Sequence, residues 1–158
     1  MANLYAVDYK KRFVTLPAKL TNVATQGGRM RVLYDTFTTA TTVADDKLYM
    51  GRLPADSKVW EVAVGFSADL TNSVTVDVGW EAVLSSGATD LDGWHDGVAA
   101  NGAISYWKMG GASTASGNKG IGLTPTSIAD ESNVVITILS GNPANDKIIS
   151  LYVAYTID

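Results

Sequence analysis

The chain of 158 residues contains no cysteine, which excludes a disulfide framework, a thiolate metal centre and a thiol nucleophile. It has a single histidine, His95, so a zinc site built from several imidazoles is excluded as well. Charge is sparse at 18% of residues while apolar residues reach 46%, which does not fit a chain that is disordered throughout. Long apolar runs are missing too. The most tempting stretch, Asn133 to Ser140, has strand length and falls far short of the ~18 residues of a spanning helix. Residues 1–10 lack the apolar core of a secretion signal, and no Asn-x-Ser/Thr sequon occurs. The expectation is a single domain without a membrane partner, retained in the cytoplasm that makes it.

What is present is alternation. From residue 29 onward Val, Ile, Thr, Tyr and Trp recur with period two, the pattern of half-buried strands. In Lys58–Phe66, Trp60, Val62, Val64 and Phe66 fall on one face, with Glu61, Ala63 and Gly65 opposite. After the polar break at 67–73, Val74, Val76, Val78, Trp80 and Ala82 resume the pattern, and the two runs read as antiparallel neighbours. Val134, Ile136 and Ile138 alternate with Val135, Thr137 and Leu139, so this strand is expected to be central or covered on both sides. Ile149, Leu151, Val153, Tyr155 and Ile157 are expected to form a last strand that leaves no C-terminal tail. Weaker strands are expected over 29–38, 47–52, 103–109 and 120–123, which makes eight. Turn-rich stretches lie at 39–46 and 110–119, the second read as a flexible loop. The predicted fold is all-β: an antiparallel β-sandwich with a jelly roll favoured and an immunoglobulin-like topology left open.

Residues 1–28 alternate only briefly, at Tyr5, Val7 and Tyr9, and read as an extended N-terminal arm ahead of a sandwich domain at 29–158. Residues 1–31 hold six basic side chains against Asp8 alone, a balance of +5, while the rest of the chain stands at −9. A basic segment poor in core positions is expected to stay mobile until an acidic partner orders it. Lys10-Lys11-Arg12 is too short for a nucleic-acid patch, so no nucleic-acid partner is expected.

Reactive chemistry is thin. Asp90-Leu-Asp-Gly-Trp-His-Asp-Gly97 gathers three carboxylates and an imidazole, but its spacing does not match a Ca²⁺ loop, so it reads as a turn. Glu61 and Glu81 could face each other across neighbouring strands, yet both sit on polar faces. No Ser lies in a Gly-x-Ser-x-Gly elbow, and the run 117–122 lacks the strand and helix context of a phosphate loop. Trp80, Trp94 and Trp107 could line a sugar-binding surface, whereas Trp60 is assigned to the core. No enzyme, metal or cofactor is expected.

A family resemblance sharpens this. The basic arm is followed by Leu48-Tyr-Met-Gly-Arg-Leu-Pro-Ala-Asp-Ser-Lys-Val-Trp-Glu-Val-Ala-Val64, then by Ala68-Asp-Leu-Thr-Asn-Ser-Val-Thr-Val-Asp-Val-Gly79, and the chain closes with Tyr152-Val-Ala-Tyr155. This order is similar to small virion structural proteins of tailed bacteriophages, most like the capsid decoration or cement proteins. The resemblance implies a β-sandwich, a homotrimer at local three-fold positions of the capsid, the phage major capsid protein as partner, and no cofactor. It also implies a place on the virion's capsid surface after synthesis in the host cytoplasm. On this reading the arm adds a strand to a capsid subunit, with Tyr9, Phe13 and Val14 as apolar anchors and Lys10, Lys11 and Arg12 against acidic surface. Two other roles suit the same sandwich: a receptor- or carbohydrate-binding module of a phage fibre, using Trp94, or a tail or baseplate structural subunit.

Overall fold

The computed structural model describes residues 29–71, 73–102, 105–109 and 125–157, and over 105–109 it describes the strand without its side chains. Among the described residues nine strands follow one another: β1 (Arg31–Thr38), β2 (Lys47–Leu53), β3 (Ser57–Phe66), β4 (Thr75–Ala82), β5 (Asp90–Ala99), β6 (Ser105–Met109), β7 (Thr126–Ile128), β8 (Ser132–Ser140) and β9 (Ile148–Ile157). They form two antiparallel sheets. Sheet A runs β1-β9-β3-β6, with β7 also pairing with β3, and sheet B runs β2-β8-β4-β5. The β-sandwich read from the alternation is therefore the fold.

The pairing is nested. β1 pairs with β9, β2 with β8, β3 with β6 and β4 with β5, so early strands find late ones, as in a long hairpin rolled over on itself. The core lies between the sheets. Val62, Val64, Leu151 and Val153 face Val76, Val78, Ile136 and Ile138, all of them fully buried. Each such side chain contributes about 1.5–3 kcal/mol by leaving water, which selects this register over a one-residue slip.

Three expectations are corrected. β3 and β4 are not neighbours: the polar break at 67–73 carries the chain from sheet A to sheet B, and Leu70 within it plugs the sandwich end. Its amide donates to Ala100 O at 2.9 Å and its carbonyl accepts from Ala144 N at 2.7 Å, which is why a turn-like sequence is held inside. Asp90–Gly97 is no turn but most of β5. Trp60 leaves the core face because a register shift against β9 falls between Val59 and Glu61, so Val59 takes the inward position. Trp60 is half-buried instead, its Nε1–H donating to Thr156 Oγ1 at 3.1 Å. β8 is central in sheet B, as expected from its two apolar faces, with Val135 buried on its outer side and Leu139 on that side exposed. The expected strand at 120–123 lies outside the described residues.

Within sheet A, β1 and β9 are tied at one end through Thr39. Its amide donates to Lys147 O at 2.8 Å and its carbonyl accepts from Asp146 N at 2.8 Å. The hydroxyl donates to Ala144 O at 2.6 Å, with Lys147 O at 3.2 Å, and accepts from Lys147 N at 2.9 Å. A fully buried threonine thereby has its amide, carbonyl and hydroxyl all satisfied where β1 leaves sheet A and β9 enters it.

Candidate interaction surface

The arm residues Tyr9, Lys10, Lys11, Arg12, Phe13 and Val14 lie outside the described residues, as do the run 117–122 and the loop 110–119. The other candidates can be placed. Asp90, Asp92, His95 and Asp96 belong to β5, where His95 is fully buried and Asp96 is exposed. Among the described residues no three His, Asp or Glu side chains converge in a way that could hold a metal ion. Asp77 instead uses Oδ1 to accept the Gly97 amide at 2.7 Å, where φ of +62° marks a bulge in β5.

Trp94 is also fully buried in the core, its ring centroid 5.2 Å from that of Trp80 with the planes tilted by 45°. A side chain sealed in this way meets no glycan, so the carbohydrate-binding reading loses the residue on which it rested. Trp80 is half-buried over Gly93, where a methyl group would overlap its six-membered ring, and its Nε1–H donates to Ala88 O at 3.1 Å. Only glycine permits that stacking, and the same glycine breaks the alternation that would have marked β5 in the sequence.

Glu61 and Glu81 cannot form a carboxylate pair, because they stand in opposite sheets. On the outer side of sheet B, Glu81 accepts from Lys47 Nζ at 2.7 Å through one oxygen and from the Tyr49 hydroxyl at 2.7 Å through the other. Tyr49 pairs in register with Val135, and Val135 with Gly79, so the three polar groups arch over a valine that is fully buried although it faces outward. The hydrogen bonds from Lys47 and then Tyr49 hold the Glu81 carboxyl below its ordinary range. The same carboxylate raises Lys47 and Tyr49, in each case chiefly through its hydrogen bond.

The outer side of sheet A has different chemistry. Tyr34, Tyr152 and Ala63 stand side by side in register, and β6 places Trp107 next in that row. The neighbouring rows hold Thr36, Ser150 and Gly65, and Val32, Ala154 and Glu61. Apart from Glu61 these positions carry no charge. Val32 and Tyr34 are 55% and 65% exposed on the outermost strand. Small residues in the middle leave a shallow open hollow of about 190 Å³, walled by Tyr34 and Tyr152 over Ala63, Gly65 and Ser150. No ionisable pair converges in its lining, so it offers a contact surface rather than a reaction site.

β1 itself is an edge. It pairs with β9 through eight residues without a register shift, and the order of sheet A leaves its other side open among the described residues. The Thr36 amide bonds the neighbouring Asp35 carboxylate at 2.8 Å, which leaves it outside the β9 ladder. Asp35 is exposed, and alternation places it on the side of Leu33 and Phe37, an acid at a core-facing position of an edge strand. These residues were missed in the sequence because Val32 and Tyr34 read as ordinary members of an alternating run. The available signal was that Arg31–Thr38 carries large apolar residues on both of its faces, Leu33 and Phe37 on one and Val32 and Tyr34 on the other.

No protein-family model matches the sequence, and no curated protein matches it. Solved structures do match in shape. A chain of the capsid of Ralstonia phage GP4 superposes with a TM-score of 0.64 at 16% identity, over 89% of this chain and 92% of that one. A chain of the capsid asymmetric unit of cyanophage Pam1 gives 0.58 at 16% identity, over 92% of this chain and 95% of that one. At such low identity the likeness establishes a shared fold, and it spans nearly the whole of each chain.

Proposed function

We propose that this protein is a structural component of a tailed-bacteriophage virion, and within that class a decoration or cement protein on the outer surface of the head. The observation that carries the reading is the likeness in fold, nearly end to end, to chains from two phage capsids. The nested pairing of β1-β9-β3-β6 over β2-β8-β4-β5 supports the jelly-roll form of the sandwich in this reading, with the short β7 set aside. In this reading the protein acts by adhesion. It assembles as a homotrimer on the major capsid protein and clamps neighbouring capsid subunits, with the arm at 1–28 and its residues Tyr9–Val14 reaching from the sandwich at 29–158 to a neighbour. Repetition on the head multiplies modest contacts into a durable one. No catalytic role is proposed.

Electron microscopy of the virion tests it, with density for this fold expected on the outside of the head. Particles lacking the protein should survive heat and osmotic shock less well than complete ones, and removal of residues 1–28 should release it from the head. Density at the tail or fibres, or unchanged survival of the stripped particles, would overturn the reading.

A further inference from the structure

We propose that the open edge of β1 receives Tyr9–Val14 from the arm of a second copy of this chain, so that copies are linked arm to edge. This rests on the role given to the arm above and names its partner. Three observations select the occupant. First, β1 is suited to accept a strand: it is eight residues long and regular, whereas the edge strands β2 and β5 of sheet B carry register shifts that blunt an edge. Second, Asp35 discriminates among strands. Two β1 edges brought together near their centres set Asp35 against Asp35, while a basic strand meets an acid. Third, the charges are complementary within one sequence. Residues 1–28 carry +3 and residues 29–158 carry −7, so bodies repel one another and each attracts an arm.

The register follows. With Lys10 opposite Asp35, Tyr9, Lys11 and Phe13 share the parity of Tyr34 and extend the outer side of sheet A by one row, whichever way the arm runs. The 14 residues between Val14 and Arg29 span up to ~46 Å when extended, enough to carry this segment from its own body to the same edge of a neighbour. Each copy then donates one arm and offers one edge, a heterologous contact that closes into a ring when its rotation permits.

The absence of cysteine makes the test clean. Lys10→Cys and Asp35→Cys are prepared as separate, differently tagged full-length chains, mixed and oxidised with diamide. Directly opposed residues on paired strands lie within the Cα separation that a disulfide accepts. A mixed band at twice the 16.7 kDa of one chain is expected, above the level of either variant alone. In solution, Asp35→Lys should abolish self-association, and Asp35→Lys with Lys10→Asp in the same chain should restore it. No mixed band, or a chain carrying both cysteines that closes only on itself, would overturn the proposal. Microscopy keeps the two readings apart: a protein on the head without arm-to-edge crosslinks defeats this inference alone, whereas crosslinks in a protein absent from the head defeat the decoration reading.

Discussion

The two outer sides of the sandwich use one architecture for opposite ends. Sheet B covers Val135, buried although it faces outward, with an ionic arch of Lys47, Tyr49 and Glu81, while sheet A presents Val32, Tyr34 and Tyr152 beside buried alanines, with a single carboxylate at the margin. A side finished with internally satisfied charges has little left to offer a partner. A mostly uncharged aromatic side next to a strand edge left open among the described residues has apolar area beside unpaired backbone. The contrast teaches which side of the sandwich is better suited to contact a partner.

The contrast can be broken or sharpened in four ways. It presupposes one core beneath both sides, and Trp94→Ala attacks that core: a loss of about 3–5 kcal/mol is expected in denaturant titration. A near-neutral effect would mean that Trp94 is not sealed and would reopen the glycan reading. Next, Thr39→Val removes the hydroxyl that ties β1 to β9 and leaves Lys147 N without that acceptor, at a cost of about 1–3 kcal/mol by the same measurement.

Tyr34→Lys should leave stability within about 0.5 kcal/mol, as surface changes do, yet weaken self-association and retention on the head. If the lysine variant binds as well as the parent, sheet A is not the adhesive side. Glu81→Gln is the smallest perturbation and is read best by pH. The folded Glu81 carboxyl lies below its ordinary value, so its contribution exists above the unfolded carboxyl's range near 4.3 and is lost as pH falls through the lowered folded value. The Tm gap between parent and variant should therefore be small and steady near neutrality and close in acid. The raised Lys47 acts in the other direction, its contribution fading as pH climbs past the ordinary lysine range.

The strands easiest to read were those whose alternation is clean: β3, β4, β8 and β9 stand where Val, Ile and Leu recur every second residue. β5 was hidden because Gly93 and Gly97 serve a stacked indole and a bulge, and Asp90, Asp92 and Asp96 between them look like turn residues. Neighbour relations were illegible for a different reason. Alternation reports which residues face inward but not which sheet a strand joins, and the connector through Leu70 looks in sequence like any hairpin loop. Trp60 was misplaced because a bulge carries no compositional mark. The exposed edge at β1 depends on the order of sheet A, a long-range property that periodicity does not encode.

That order has a consequence for when the molecule becomes competent to stick. β1 is made early but owes its place to β9, with which it is paired in unbroken register from Arg31↔Tyr155 to Thr38↔Ile148. Until the last strand has threaded in beside β3, there is no sheet for β1 to border and so no docking rail for a neighbour. Half-made chains are thereby excluded from any arm-to-edge assembly, and the rolled topology acts as its own inspection step.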